Sequence, residues 1–168
     1  HKSSHSFPTR RSSDLIGAQA RLAVAPDGTL ATISSGPDEV ARLTLREKDG
    51  TVRASRRLTR VLPFRHHIVA SPMAMSGLSF SADSKWLYLV AADLASDESF
   101  TSRLWKVDAS DGSIEKSWDD VTGIGGCLTH DGRAYVYAAV AGDVVTLTRL
   151  ELADGKRTAL TSFAPGVS

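Results

Sequence analysis

LTHDGRAYVYAAVAGDVVTLTRLELADGKRTAL, Leu128 to Leu160, decides the fold. Within it Val145, Leu147, Arg149 and Glu151 fall on one side of an extended chain, and Thr146, Thr148, Leu150 and Leu152 fall on the other. That is the two-residue period of a half-buried strand. Asp131-Gly132 and Asp154-Gly155 punctuate the run. Glycine takes a positive φ without steric cost, and aspartate tolerates it by bonding its own backbone, so each Asp-Gly predicts a hairpin of the two-residue type.

The same plan recurs upstream. Ala23 to Leu30, Ser79 to Leu87 and Leu128 to Ala134 each join two alternating runs through a tight turn, carried by Asp27-Gly28, Asp83-Ser84 and Asp131-Gly132. A second turn follows in each unit, at Asp49-Gly50, Asp111-Gly112 and Asp154-Gly155, after 22, 28 and 23 residues. The units predict twelve strands in three sets of four. The first set is Arg21–Ala25, Leu30–Ser34, Ala41–Glu47 and Thr51–Leu58; the second is Ser76–Ser81, Trp86–Ala91, Ser102–Val107 and Ser113–Trp118. The third is Gly125–Thr129, Ala134–Val140, Val144–Leu152 and Lys156–Ser162. Ser35, Pro37 and Glu39 would also suit a helix start, but the alternation at Leu43 and Leu45 favours a strand there. Tandem four-stranded meanders of about 45 residues are the sequence pattern of β-propeller blades. The expected fold is therefore all-β, a partial propeller of about three four-stranded antiparallel blades over residues 19–60, 75–121 and 122–164.

Composition agrees with an ordinary globular chain: of 168 residues, 42% are hydrophobic and 23% charged, with one cysteine. This excludes collagen, a disulfide scaffold and a disordered tail. Apolar runs such as Val90 to Ala92 and Tyr135 to Val140 fall far short of the ~20 residues of a membrane-spanning helix.

Residues 1–15 stand apart. His5 to Leu15 is similar to a translation of a widely used sequencing adapter, so this segment is expected to be non-native and disordered, with native sequence from Ile16 to Ser168. Setting aside Lys2, Arg10, Arg11 and Asp14 leaves 17 basic and 18 acidic residues, and the formal charge moves from +1 to −1. On this reading any native leader lies upstream of Ile16. Cys127 fits a reducing cytoplasm and an oxidising periplasm or exterior equally, which leaves the compartment open.

The turns at Pro26-Asp27-Gly28, Ala82-Asp83-Ser84 and His130-Asp131-Gly132 precede strands such as Leu104 to Asp108 and Leu150 to Thr161. In these features the chain resembles the WD-repeat-like propeller repeats of bacteria, including TolB-type propellers and the propeller domain of prolyl-oligopeptidase-type peptidases. The resemblance covers residues 19–163. Ser84, where glycine is usual, and the long stretch between the first and second units depart from the pattern.

Three blades do not close a ring, since propellers have about four to eight. If each open end exposed about four residues such as Leu or Val, the loss would be ~6–12 kcal/mol per end at ~1.5–3 kcal/mol each. That rivals the ~5–15 kcal/mol stability of a whole domain. The remaining blades of a longer chain are the expected partners, with a ring-completing homodimer as the competing arrangement.

No catalytic constellation, cofactor signature or complete metal-ligand set is expected. Arg53, Arg57 and Arg60, with Arg56, Arg65, His66 and His67, form a basic stretch that could meet phosphates, but Phe64 is the one aromatic nearby, and a solvated outer strand is the favoured reading over nucleic acid. His66-His67 would point to opposite faces of a strand, and Cys127 with His130 supplies two ligands where structural zinc takes four; Cys127 is expected to be a buried packing residue. Gly77 to Ser81 lacks the closing glycine and the helix of a nucleophile elbow. No helix follows Gly123 to Gly126 to hold a phosphate, and an inter-blade connection explains the glycines. Ser81 to Trp86 resembles a sialidase-type Asp-box without its glycine. Asp93, Asp97 and Glu98 are expected in a solvated connection. Trp86, Tyr88, Trp105, Tyr135 and Tyr137 are expected to pack between blades, with a ligand platform in the channel as the alternative.

The resulting reading is a non-catalytic binding or scaffold module for a protein, peptide or small ligand. The alternatives are the gating propeller of a prolyl-oligopeptidase-type serine peptidase whose hydrolase half lies elsewhere, or a lactonase-like propeller enzyme.

Overall fold

The structure is a computed structural model, and it describes residues 21–35, 41–57, 77–94, 100–121, 126–141 and 143–163. Among these residues there are twelve strands and no helix. The first sheet comprises β1 (Arg21–Val24), β2 (Leu30–Ser35), β3 (Ala41–Arg46) and β4 (Val52–Arg57). The second comprises β5 (Gly77–Phe80), β6 (Trp86–Leu94), β7 (Phe100–Asp108) and β8 (Ile114–Asp119). The third comprises β9 (Gly126–Leu128), β10 (Ala134–Ala141), β11 (Val144–Glu151) and β12 (Arg157–Phe163). Each sheet is an antiparallel meander in chain order, and no strand crosses between sheets. β1 lies alongside β5, and β5 alongside β9, so the short first strands gather on one side while the later strands fan outward.

Alternation within the strands decides what each face buries. In β6, Leu87 and Leu89 pack with Ala31, Ile33, Leu43 and Leu45 of the first sheet, joined by Trp105 and Val107 of β7. Tyr88 and Val90, the intervening residues, join Leu104 and Trp118 against Tyr135, Tyr137 and Leu150 of the third sheet. The middle sheet is thus buried on both faces, which is why β6 reads Trp-Leu-Tyr-Leu-Val rather than as an apolar–polar alternation. All five aromatic residues expected between blades lie in or against these two clusters.

Two expectations are corrected. The hairpins are not two-residue turns. Ala25 N–H bonds Thr29 O and Glu47 N–H bonds Thr51 O, which leaves three-residue loops in the first sheet. The corresponding bonds Ser81–Trp86, Asp108–Ser113, Thr129–Ala134 and Glu151–Lys156 leave four-residue loops in the other two. Three-residue loops favour a type I turn closed by a left-handed residue, and longer ones are built on the same turn, so Asp-Gly serves both. The second correction concerns Asp93, which pairs with Thr101 inside the β6–β7 ladder and so is not in the connection. Asp97 and Glu98 lie outside the described residues.

Leu104 is fully buried in the cluster between the second and third sheets. Leu104→Ala is expected to destabilise the fold by about 2–5 kcal/mol. Tyr135 is equally buried, yet its hydroxyl has no hydrogen-bond partner among the described residues. Tyr135→Phe removes an unsatisfied polar group and should leave stability unchanged or raise it by about 1 kcal/mol. Gly126→Ala would set a Cβ 2.5 Å from Tyr135 Cε1 and should cost about 1–3 kcal/mol. Urea denaturation of the three variants measures all of these, and a Tyr135→Phe variant as unstable as Leu104→Ala would contradict this packing.

Candidate functional site

A meander places the turn after its first strand and the turn after its third strand at the same end. The six Asp-bearing turns therefore line one rim, and each is built by its own aspartate. Asp27 Oδ1 accepts the Thr29 N–H at 2.8 Å, Asp49 the Thr51 N–H at 2.9 Å, Asp111 the Ser113 N–H at 2.8 Å and Asp154 the Lys156 N–H at 2.9 Å. At Asp83 and Asp131 a hydroxyl two residues earlier completes the device. Ser81 and Thr129 each donate to the carboxylate at 2.6 Å and each accept a backbone N–H, from Trp86 and Ala134, at 3.0 Å. Ala25 stands at the matching place in the first sheet and cannot do this. The five glycines Gly28, Gly50, Gly112, Gly132 and Gly155 take φ of 66–90°, and Ser84 takes 61° where glycine is usual. A left-handed non-glycine residue costs roughly 1–2 kcal/mol. Ser84 offsets part of that cost by accepting the Asp27 N–H across the sheet boundary at 3.1 Å.

At five of these turns the contacts favour the charged form of the carboxylate. The Thr29 and Thr51 backbone N–H groups lower the pKa values of Asp27 and Asp49, while the Ser81, Ser113 and Thr129 side chains lead in lowering those of Asp83, Asp111 and Asp131.

Between the first and second sheets the rim opens into a cleft of about 350 Å³, lined by Asp27, Arg53, Asp83, Lys85, Trp86 and Asp108, with Ser84, Ala109 and Ser110 completing the wall. It presents carboxylates, cations and an indole together. Asp108 Oδ1 is held by the Ser110 N–H at 2.7 Å and by the Ser110 hydroxyl. Arg53 forms a two-point ion pair with Glu47 at 2.6 and 2.7 Å and donates to Ala109 O at 3.1 Å, which ties the first sheet to the second. That pair lowers the Glu47 pKa. The same joint recurs one sheet on, where Lys116 Nζ reaches Leu152 O at 3.1 Å and Ala153 O at 3.2 Å.

The residues of the basic stretch are placed differently from one another. Arg53 is held in the joint just described; Arg56 reaches Asp111 O at 3.0 Å; Arg57 lies exposed at the end of β4; Arg60, Arg65, His66 and His67 lie outside the described residues. Cys127 is on β9 but exposed, so it is not the buried packing residue expected. Its neighbour Leu128 is the one turned toward the Tyr135 cluster, because adjacent strand residues face opposite ways. Among the described residues no three His, Cys, Asp or Glu side chains converge as a metal site. Gly77 to Phe80 forms β5, and Gly123 to Gly125 lie outside the described residues. The cleft itself was not readable in the sequence: its lining comes from β4 and from turns 27, 83 and 108, and the recurrent Asp turns were the one available signal.

Among solved structures the chain is similar to TolB from Acinetobacter baumannii, at 19% identity and a TM-score of 0.58 over 86% of this chain and 32% of that one. It is similar to the β-propeller domain of the Trilobed protease from Pyrococcus furiosus, at 12% identity and 0.54 over 86% of this chain and 43% of that one. The fold is that of a β-propeller. Its three sheets are blades, and the acylaminoacyl peptidase of Pyrococcus horikoshii gives a further match, at 13% identity and 0.56 over 86% of this chain and 25% of that one. The chain spans less than half the length of each of these propeller proteins. No family model matches it, and no curated protein matches it in sequence.

The lowered carboxylates make the rim acid-sensitive. A folded-state pKa below the unfolded value of about 4 means that the stabilisation is complete above that value and is lost as pH falls through the folded pKa. The melting temperature should therefore hold between about pH 7 and 5 and fall below about pH 4. Carboxyl ¹³C titration by NMR should place the midpoints of Asp27, Asp49, Asp83, Asp111 and Asp131 below that of an aspartate in a short peptide; midpoints at or above it would contradict the turn geometry.

Proposed function

We propose that this chain is part of a non-catalytic β-propeller that binds a protein or peptide on its turn rim. The observation carrying the reading is the inter-blade cleft, where Asp27, Asp83, Asp108, Lys85 and Trp86 lie together on blades whose turns are fixed by their own carboxylates. Both charge signs beside an aromatic surface suit a peptide, whose side chains offer both signs and apolar area. A scaffold whose turns are already locked loses little entropy when a ligand arrives. The remaining blades of a longer chain would complete the ring around it.

The likeness to the peptidase-associated propellers favours a second reading, a gating propeller for a serine peptidase. A Gly-x-Ser-x-Gly segment after a strand, encoded on the same transcript, would favour it over the binding module.

The test is selection of peptides from a displayed library on the wild-type chain, followed by calorimetry against Lys85→Glu and Ser110→Arg, both at exposed positions on the cleft. Each substitution should weaken a selected peptide about tenfold or more, or about 1.4 kcal/mol. Equal binding by all three proteins, or no enrichment at all, would sink the proposal for this cleft.

A further inference from the structure

Among the described residues the outermost strand of each blade offers an unpaired backbone edge, because alternate N–H and C=O groups point away from the sheet. β4 carries Arg53, Arg56 and Arg57 along that edge strand, and β8 carries Glu115, Lys116 and Asp119. Such charges discourage the addition of a further strand. β12 differs: after Arg157 its six residues Thr158 to Phe163 carry no charge. All seven residues are exposed, with Leu160 at 53% and Phe163 at 50%. The Arg157 guanidinium is turned back to the Asp119 carbonyl of the second blade, so its charge is drawn off the strand. Among the described residues no strand pairs with the outer edge of β12.

We propose that the outer edge of β12 is a self-association site, where two copies of this chain pair strand to strand, antiparallel about a two-fold axis. A two-fold contact requires a surface that complements itself. Uncharged Thr158 to Phe163 meets its own copy with no like charges opposed, whereas β4 on its copy would set arginine against arginine. The hydroxyl-bearing Thr158, Thr161 and Ser162 and the apolar Leu160 and Phe163 supply cross-strand pairs of the kind that stabilise a ladder. This contact continues a sheet outward and is distinct from ring completion, which would cover the open face of the third blade, where Val136, Val145 and Leu147 share a side. The register shift in which Leu160 falls between Ala159 and Thr161 keeps the new ladder short, so the association is weak, about 10 μM to 1 mM.

Sedimentation equilibrium over a concentration series on the wild-type chain, Leu160→Lys and Val136→Lys decides the matter. Leu160 is exposed, so its substitution should leave the fold intact, which circular dichroism checks for both variants. Val136 lies on β10, away from β12, on the face that ring completion would cover. The expected result is a wild-type dimer, weakened at least tenfold by Leu160→Lys and unchanged by Val136→Lys. A wild-type chain that stays monomeric at about 1 mM, a dimer indifferent to Leu160→Lys, or one lost with a folded Val136→Lys would each overturn the proposal.

Discussion

A sheet face gains stability only when another apolar face covers it, and this protein depends on that constraint being met twice across one sheet. The second blade sends Leu87 and Leu89 one way and Tyr88 and Val90 the other. Removing either neighbour would return a row of large side chains to water, at roughly 1.5–3 kcal/mol each. Fan-like stacking follows from that burial together with the close approach of β1, β5 and β9.

Stacking in turn depends on which residues each hairpin directs toward its neighbour, and a single residue of loop length controls this. The three-residue loop at Pro26-Asp27-Gly28 brings Thr29, Ala31 and Ile33 onto the side that the four-residue loop of the second blade gives to Trp86, Tyr88 and Val90. Aligning the blades on their aspartates would have put Leu30 and Thr32 there instead. Because side chains alternate by twos, a one-residue difference reverses the faces of everything downstream in the strand.

The rim joins the stability of the turns to the shape of the cleft. Two of the aspartates that close the turns, Asp27 and Asp83, line the cleft, and two of the cations that bridge blades, Arg53 and Lys116, bond carbonyls of the next blade's turn rather than facing solvent alone. Arg53, which in sequence belongs to a run of basic residues, is paired with Glu47. A charge run does not reveal where its partners come from, because those partners are brought in by folding.

The amino-acid sequence by itself determined the strands, their grouping into three meanders and the positions of the turns. Each of these is a local property: alternation by twos and the tolerance of Asp and Gly for a left-handed backbone. Only the tertiary structure decided that Cys127 faces outward, that Asp93 is paired within a strand and that Ser84 bonds its neighbour blade. It also assembled the cleft, whose walls come from residues as far apart as Asp27 and Ser110. Those outcomes depend on loop lengths and on contacts between blades, and side-chain alternation along one strand carries no information about which strand will lie across from it.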